Sequence, residues 1–211
     1  MSELPDLQTD GPAAAPLTLA LAHGAGAPMD SAFMNVMAEG VAARGFRVVR
    51  FEFPYMAERR ATGRKRPPNP ARVLLQTWQA VIGHLGAPHL VIGGKSMGGR
   101  MASMVADEAG VAGLVCLGYP FHPPGRPEKL RVEHLAGLAT PTLICQGTRD
   151  TLGNREEVAG YPLSAAIRLC WLEDGDHGFR PRKASGLTED GNLARAVDAV
   201  AGFMEGLAEG G

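Results

Sequence analysis

A short segment near the middle of the chain most strongly constrains the fold. Residues 90–92 are apolar and predict a buried strand. Gly94, Ser96 and Gly98 follow with the spacing G-x-S-x-G, and residues 100–109 have the composition of a helix. A serine in a tight turn between a strand and a helix is typical of a nucleophile elbow, in which strained backbone lifts the hydroxyl clear of the sheet. Small residues two positions before and after this serine let strand and helix approach closely.

Apolar strand-like runs alternate with helical patterns along the rest of the chain. Further strands are predicted at residues 17–22, 48–51, 113–117, 142–146 and 167–172. Uninterrupted apolar strands are typical of a parallel sheet buried on both faces. We therefore expect a single α/β domain over residues 17–211, with about six mostly parallel strands and helices on both faces. Residues 1–16 are predicted to form a loose leader, with one short added strand as an option.

The connecting segments carry their own predictions. Residues 52–68 are expected to be irregular and to expose a basic cluster between Arg59 and Arg66. Asn69 is expected to cap a helix whose first residue is Pro70. The connection between the strand at 113–117 and Asp150 is short, which predicts an open site without a large cap domain.

Composition narrows the classes of partner. The chain has 211 residues, 45% of them apolar, and a net charge of −1, which favours neither nucleic acid nor an anionic membrane as partner. The chain lacks a run of about 18 apolar residues and a signal-peptide pattern, so we expect a cytoplasmic protein. Cys116, Cys145 and Cys170 match no metal motif and are expected to be buried, reduced thiols. No metal or cofactor is predicted, and the sequence does not specify an oligomeric state.

Three residues, each in a loop after a later strand, predict nucleophilic chemistry. A serine hydroxyl needs a base that takes its proton and an acid that orients the base. In the fold expected here these groups follow one another along the chain as serine, acid and histidine. Ser96, Asp150 and His177 have this order and predict a catalytic triad. Asp174 and Asp176 are alternative acids, but they share the loop of His177 and are more typical of turn residues.

Backbone N–H groups beside the serine predict an oxyanion hole. One should belong to Met97, directly after the serine, and the other to Ala25 in the glycine-rich turn after the first strand. That turn also resembles the start of a dinucleotide site, but Met29 replaces its third glycine. The letters G-K-S at residues 94–96 resemble a P-loop, which would need a glycine where the chain has His89.

Four further residues are candidates for substrate contacts. Tyr55, Phe121 and Phe179 lie in loops after strands, where they would either wall the pocket or pack beneath the loops. Lys95 precedes the serine and would favour an anionic substrate, pair with a nearby carboxylate or reach solvent. With the basic cluster near Arg59, this lysine makes an acidic substrate an alternative hypothesis.

A family resemblance rests on motifs spread over most of the chain. The motifs are H-G-A-G at 23–26, F-P-Y-M at 53–56, R-K-R-P-P at 64–68, G-K-S-M-G-G-R at 94–100, G-Y-P-F-H-P-P-G at 118–125, Q-G-T-R-D at 146–150 and G-D-H at 175–177. The chain resembles the α/β-hydrolase family related to dienelactone hydrolases and to testis-expressed hydrolase-like proteins. The resemblance implies an α/β-hydrolase core with Ser96, Asp150 and His177 as triad. Dienelactone hydrolase itself has a cysteine at the elbow, where this chain has Ser96.

These observations together predict a serine hydrolase that cleaves a small or medium ester or thioester through an acyl-enzyme. Two alternatives remain. The first is a non-catalytic binding or scaffold protein on a hydrolase fold, because some relatives serve as interaction proteins. The second is an acyltransferase, because the same triad transfers an acyl group to an alcohol or amine as readily as to water.

Overall fold

The computed structural model describes residues 4–210; residues 1–3 of the predicted leader and residue 211 of the predicted domain lie outside the described residues. The strands are β1 Leu7–Asp10, β2 Thr18–Ala22, β3 Arg47–Phe51, β4 Leu90–Lys95, β5 Gly113–Leu117, β6 Thr142–Gly147 and β7 Ile167–Leu172. The α-helices are α1 Ala32–Ala42, α2 Pro54–Thr62, α3 Ala71–Leu85, α4 Met97–Ser103, α5 Ala106–Ala109, α6 Glu133–Ala136, α7 Arg155–Val158 and α8 Glu189–Gly210. Short 3-10 helices cover Ala87–His89 and Lys183–Ser185.

The strands form one sheet in the order β1-β3-β2-β4-β5-β6-β7. All neighbouring strands are parallel except β1, which pairs antiparallel with β3 at the edge. The predicted fold class, a single α/β domain with a mostly parallel sheet and helices, is therefore confirmed. The described sheet has seven strands where about six were expected, because β1 extends its edge.

Helices cover both faces of the sheet and create two apolar layers. On one face α1 and α8 pack together and contribute Met37 and Val197, both buried. On the other face α3 and α4 contribute Trp78 and Met101. Trp78 is fully buried, and its ring meets the ring of Phe51 nearly at a right angle with 4.8 Å between centroids. None of the helices within residues 4–210 has the length and apolar composition that crossing a membrane requires.

The segment between β3 and α3 differs from its prediction. Part of the stretch expected to be irregular forms α2, which starts at Pro54 and ends at Thr62, followed by Gly63 with left-handed backbone. Asn69 does not cap α3, because its side-chain oxygen accepts a hydrogen bond from Tyr55 N–H at 2.8 Å. Pro70 instead occupies the capping position of α3, with extended backbone. Asn69 therefore ties the start of α2 to the start of α3.

The predicted leader contains β1, whose last residue reaches into the body of the molecule. Asp10 Oδ2 accepts hydrogen bonds from the Arg50 guanidinium at 2.8 and 3.2 Å. Arg50 lies on β3, is 1% exposed, and also donates to the carbonyl of Met29. A buried guanidinium needs a counter-charge and acceptors for its N–H groups, and this edge strand provides the carboxylate.

Candidate active site

The turn after β4 holds Ser96 in an unusual backbone conformation. Ser96 has φ 51° and ψ −113°, and its N–H donates to Leu117 O at 3.0 Å. A side chain added at Gly94 would place its Cβ 2.2 Å from Ala22 O, and one added at Gly98 would lie 2.5 Å from the same oxygen. The close approach of β2 therefore explains why only glycine fits on either side of the serine. The elbow predicted from G-x-S-x-G is present in the structure.

The side chains of the three predicted triad residues lie within hydrogen-bond distance of one another. His177 Nε2 is 2.9 Å from Ser96 Oγ, and His177 Nδ1 is 2.7 Å from Asp150 Oδ2. Because a carboxylate only accepts, the imidazole proton lies on Nδ1, and Nε2 is left to accept from the serine hydroxyl. The three residues follow β4, β6 and β7, whose carboxyl ends meet at one edge of the sheet.

The carboxylate of Asp150 is fully buried and held by two further donors. Leu152 N–H donates to Oδ1 at 2.8 Å, and Gln146 Nε2 donates to Oδ2 at 2.9 Å. The same Gln146 amide group also bonds Gly153 O, and its oxygen accepts from Tyr119 N–H. This glutamine was not singled out from the sequence. The signal that identifies it is an amide side chain at the end of an otherwise apolar strand, because a fully buried polar group needs partners.

The alternative acids of the histidine loop have other partners. Asp174 accepts from Arg182 N–H and from its guanidinium, and Arg149 Nε lies 2.9 Å from its carboxylate. The hydrogen bonds from Arg182 lower the pKa of Asp174 to about 2. Asp176 Oδ1 accepts from the N–H groups of Gly178 and Arg180. Both carboxylates thus shape the loop that carries the histidine, while the imidazole itself contacts Asp150.

Three side chains hold the carbonyl groups of the turn after β2. His23 Nδ1 donates to Gly24 O at 2.7 Å, and its Nε2 accepts from Phe53 N–H. The Tyr55 hydroxyl donates to Ala25 O at 3.0 Å, and Arg59 donates to Gly26 O at 3.1 Å. Burial lowers the pKa of His23, which keeps the imidazole neutral and able to serve as both donor and acceptor.

The two backbone groups predicted for an oxyanion hole lie at the same cavity. Ala25 and Met97 line it together with Ser96 and His177. Met97 is the first residue of α4, where N–H groups have no acceptor within the helix. Within residues 4–210, the N–H groups of Ala25 and Met97 form no hydrogen bond with the protein. They are therefore available to an oxygen atom bound above the serine.

Comparison with known families now identifies the domain. Residues 15–205 match the family model described as an alpha/beta hydrolase domain. This chain belongs to the alpha/beta hydrolase domain family. The match covers all of the sheet except β1 and includes Ser96, Asp150 and His177.

Solved structures with the same fold include several hydrolases of low sequence identity. An alpha-beta serine hydrolase homologue from Coxiella burnetii is 19% identical, with a TM-score of 0.67 over 92% of this chain and 89% of that one. The esterase domain of a Rhodothermus marinus protein is 17% identical, with a TM-score of 0.64 over 92% and 89%. A serine hydrolase without lid from Xanthomonas campestris is 18% identical, with a TM-score of 0.65 over 97% and 88%.

The hydrolase domain has a cavity of 740 Å³ beside the serine. Apolar side chains from α1, α3 and α4 form much of its wall, among them Phe33, Leu74 and Met101. Three of the predicted substrate contacts are not on this wall. Tyr55, Phe121 and Phe179 are at most 2% exposed and pack in the core, Tyr55 from the start of α2 and the other two from loops. These three rings therefore belong to the buried core and not to the described cavity wall.

Lys95 lines the cavity of the hydrolase domain, but its ammonium group has a partner in the protein. Its Nζ donates to His177 O at 2.6 Å and lies 5.4 Å from the centre of the Phe33 ring. Burial lowers the pKa of Lys95 to about 8, against the raising influence of Asp150 and Asp176. Lys95 therefore pairs with a backbone carbonyl rather than with the carboxylate that was expected. It restrains the histidine loop and adds positive charge to the cavity near neutral pH.

Proposed function

We propose that this alpha/beta hydrolase is a serine hydrolase that cleaves small or medium carboxylic esters or thioesters. The observation that carries the proposal is the unbroken hydrogen-bonded series from buried Asp150 through His177 to Ser96, at an open cavity. A carboxylate with no solvent contact orients the imidazole and stabilises its charged form more strongly than an exposed one would. A binding protein would have no chemical need for this arrangement.

Acylation is the first half of the proposed reaction. Ser96 Oγ attacks the substrate carbonyl carbon while its proton passes to His177 Nε2, and Asp150 stabilises the resulting imidazolium. The carbonyl oxygen becomes an oxyanion that accepts hydrogen bonds from the N–H groups of Ala25 and Met97. When the tetrahedral intermediate collapses, the imidazolium gives its proton to the departing alcohol or thiol. The acyl group is left as an ester of Ser96.

Deacylation repeats these steps with water. His177 Nε2 takes a proton from a water molecule, whose oxygen attacks the acyl carbon, and the same N–H groups stabilise the second oxyanion. Collapse returns the proton to Ser96 Oγ and releases the carboxylic acid. Each step is balanced with these protein groups and water alone, so the proposal assigns no metal or cofactor to the reaction.

We further propose that this chain lies close to the dienelactone-hydrolase-related group. The motifs at residues 23–26, 94–100 and 146–150 support a place beside the dienelactone-hydrolase-related group. We expect ester rather than dienelactone substrates, because the nucleophile is a hydroxyl and not a thiol.

Labelling with a fluorophosphonate probe tests the proposal. Such a probe phosphonylates a serine only when a neighbouring base activates it. We expect wild-type protein to be labelled on Ser96, identified by peptide mass spectrometry, and to hydrolyse 4-nitrophenyl butyrate. Ser96→Ala should lose both properties and keep its circular dichroism spectrum. Asp150→Asn should react more slowly by a factor on the order of 10⁴, because the histidine then takes the wrong tautomer.

One set of results would contradict the proposed hydrolase activity. A folded wild-type protein that takes no label and turns over neither a butyrate ester nor a butyryl thioester would show that the serine is not activated. A binding or scaffold role would then explain the fold better.

A further inference from the structure

Two arginines line the cavity beside the serine. Arg100 lies on α4 one turn after Ser96, and its N–H donates to Ser96 O at 3.0 Å. Arg131 comes from the loop between β5 and α6 and lines the same cavity. Neither arginine was singled out as a substrate contact from the sequence. The fold brings the two segments together, since Ser103 Oγ on α4 lies 2.8 Å from His134 Nε2 on α6.

Both guanidinium groups lack a carboxylate partner within residues 4–210. The Nε atom of Arg100 is buried and has no hydrogen-bond acceptor among these residues. Many other arginines of the chain form ion pairs: Arg44, Arg50, Arg60, Arg66, Arg149, Arg155, Arg180 and Arg182. Glu189 also lines the cavity, but its carboxylate binds Arg180 at 2.8 Å.

The two arginines act on each other as like charges. Burial and the charge of Arg100 both lower the pKa of Arg131. The charge of Arg100 also contributes, after burial, to lowering the pKa of the neighbouring His134. Burial and a nearby like charge both disfavour the charged form of such a group, and a bound anion would stabilise it. Guanidinium groups are suited to this task because their planar N–H donors pair with carboxylate or phosphate oxygens two at a time.

We propose that Arg100 and Arg131 bind a carboxylate or phosphate group carried by the ester or thioester substrate, so that the enzyme prefers substrates with a second, anionic end. This inference rests on the proposed function for the reaction, but the anion site itself is a property of the cavity. The apolar wall beside the arginines suits the carbon chain that joins the anionic end to the scissile bond. Lys95 adds to the positive potential while its own ammonium group stays on His177 O.

Anion binding is measured first, without catalysis. Glutarate and inorganic phosphate are titrated calorimetrically into Ser96→Ala protein and into the same protein carrying Arg100→Gln, Arg131→Gln or Arg126→Gln. Arg126 is the matched control, because it lies on the same loop as Arg131 but is exposed and outside the cavity wall. We expect Arg100→Gln and Arg131→Gln each to raise the Kd of the bound anion about tenfold, and Arg126→Gln to leave it unchanged. Tighter binding of glutarate indicates a carboxylate, and tighter binding of phosphate indicates a phosphate.

Turnover then tests the preference in the active protein. For each of two 4-nitrophenyl esters, the hydrogen glutarate and its uncharged methyl glutarate analogue, we compare kcat/KM in wild type and in the arginine variants. The charged ester should be preferred by about tenfold or more in wild type and Arg126→Gln. The ratio of kcat/KM for the charged ester to that for the uncharged ester should approach one in Arg131→Gln. This variant should fold normally, because Arg131 is partly exposed.

Different results overturn the two proposals. Anion affinity that is the same in Arg100→Gln, Arg131→Gln and Arg126→Gln, or equal turnover of both esters by wild type, would refute the anion site. Absence of fluorophosphonate labelling and of ester turnover, with anion binding that still depends on both arginines, would refute the hydrolase mechanism and leave the site in place.

Discussion

At the scale of single residues, steric contacts around the serine decide its geometry. Among the described residues, three other than glycine have positive φ, and Ser96 is one of them. Such a strained backbone persists only where the surrounding structure holds it in place. Gly98 lies against the carbonyls of Ala22 and His23, with no space for a methyl group. The conformation of Ser96 and the close packing of α4 on β2 therefore depend on each other.

Gly98→Ala should damage both stability and activity. The new Cβ would lie 2.5 Å from Ala22 O and 2.7 Å from His23 O, so the strand or the helix must move. We expect the free energy of unfolding in urea to fall by about 2 kcal/mol, as for other overpacked sites. The rate of fluorophosphonate labelling should fall as well, because Ser96 is displaced.

Gly202→Ala provides the matched control for that substitution. Gly202 is exposed in α8, and a Cβ there would meet nothing within 4 Å. Alanine should increase the free energy of unfolding by about 0.5–1 kcal/mol through its higher helix propensity. Equal effects of the two substitutions would contradict the steric explanation.

At the scale of elements, helix α2 positions the turn after β2. Tyr55 and Arg59 both lie on α2 and donate to carbonyl groups of this turn. Because these carbonyl oxygens accept hydrogen bonds from α2, the turn is held in place, and the N–H group of Ala25 stays available at the cavity. An element that the sequence pattern did not reveal therefore supports the proposed oxyanion hole.

Tyr55→Phe should lower kcat with little change in KM. The ring keeps its place beside His23, but Ala25 O loses its donor and the turn can rotate away from the serine. Because a displacement of about 1 Å can cost up to 100-fold in rate, we expect a fall in kcat of about tenfold. Steady-state kinetics with 4-nitrophenyl butyrate would measure it, with Tyr161→Phe, whose ring packs on Phe121, as control. Unchanged kcat would show that the hydroxyl does not position the turn.

At the scale of the whole molecule, the edge strand β1 joins the N-terminal segment to the interior. Arg50 points into the space between β3 and α1, where it bonds Asp10, Met29 and Asn35. Asp10 supplies the counter-charge from 40 positions away in the sequence. The segment predicted as a leader thus contributes to the stability of the hydrolase domain.

Asp10→Ala should destabilise the whole domain. Removing the carboxylate leaves a buried guanidinium without a counter-charge, a change that costs about 3 kcal/mol in comparable cases. The midpoint of urea unfolding should fall accordingly, and with it the midpoint of thermal unfolding measured by circular dichroism. Asp6→Ala, at an exposed position of the same segment, should change the free energy of unfolding by less than about 0.5 kcal/mol. Equal stability of the two variants would show that Arg50 does not depend on β1.

Local sequence pattern was sufficient to determine the α/β fold and the elbow. Buried parallel strands must be continuously apolar, and a serine that turns from strand to helix needs glycines beside it, so both features are visible in short windows of sequence. The order Ser96, Asp150, His177 followed from the position of polar residues at strand ends. Their meeting at one edge follows from the parallel arrangement of β4, β6 and β7.

Only the tertiary structure decided which side chains face the cavity. The pattern around Tyr55, Phe121 and Phe179 fits a pocket wall and a buried core equally well, because both environments favour aromatic rings. Gln146 and Arg50 bond partners that are distant along the chain, and Arg100 Nε has no acceptor within residues 4–210. A short window of sequence shows the period of burial, but it does not show what a buried polar group meets, because that contact is formed by elements far apart in the chain.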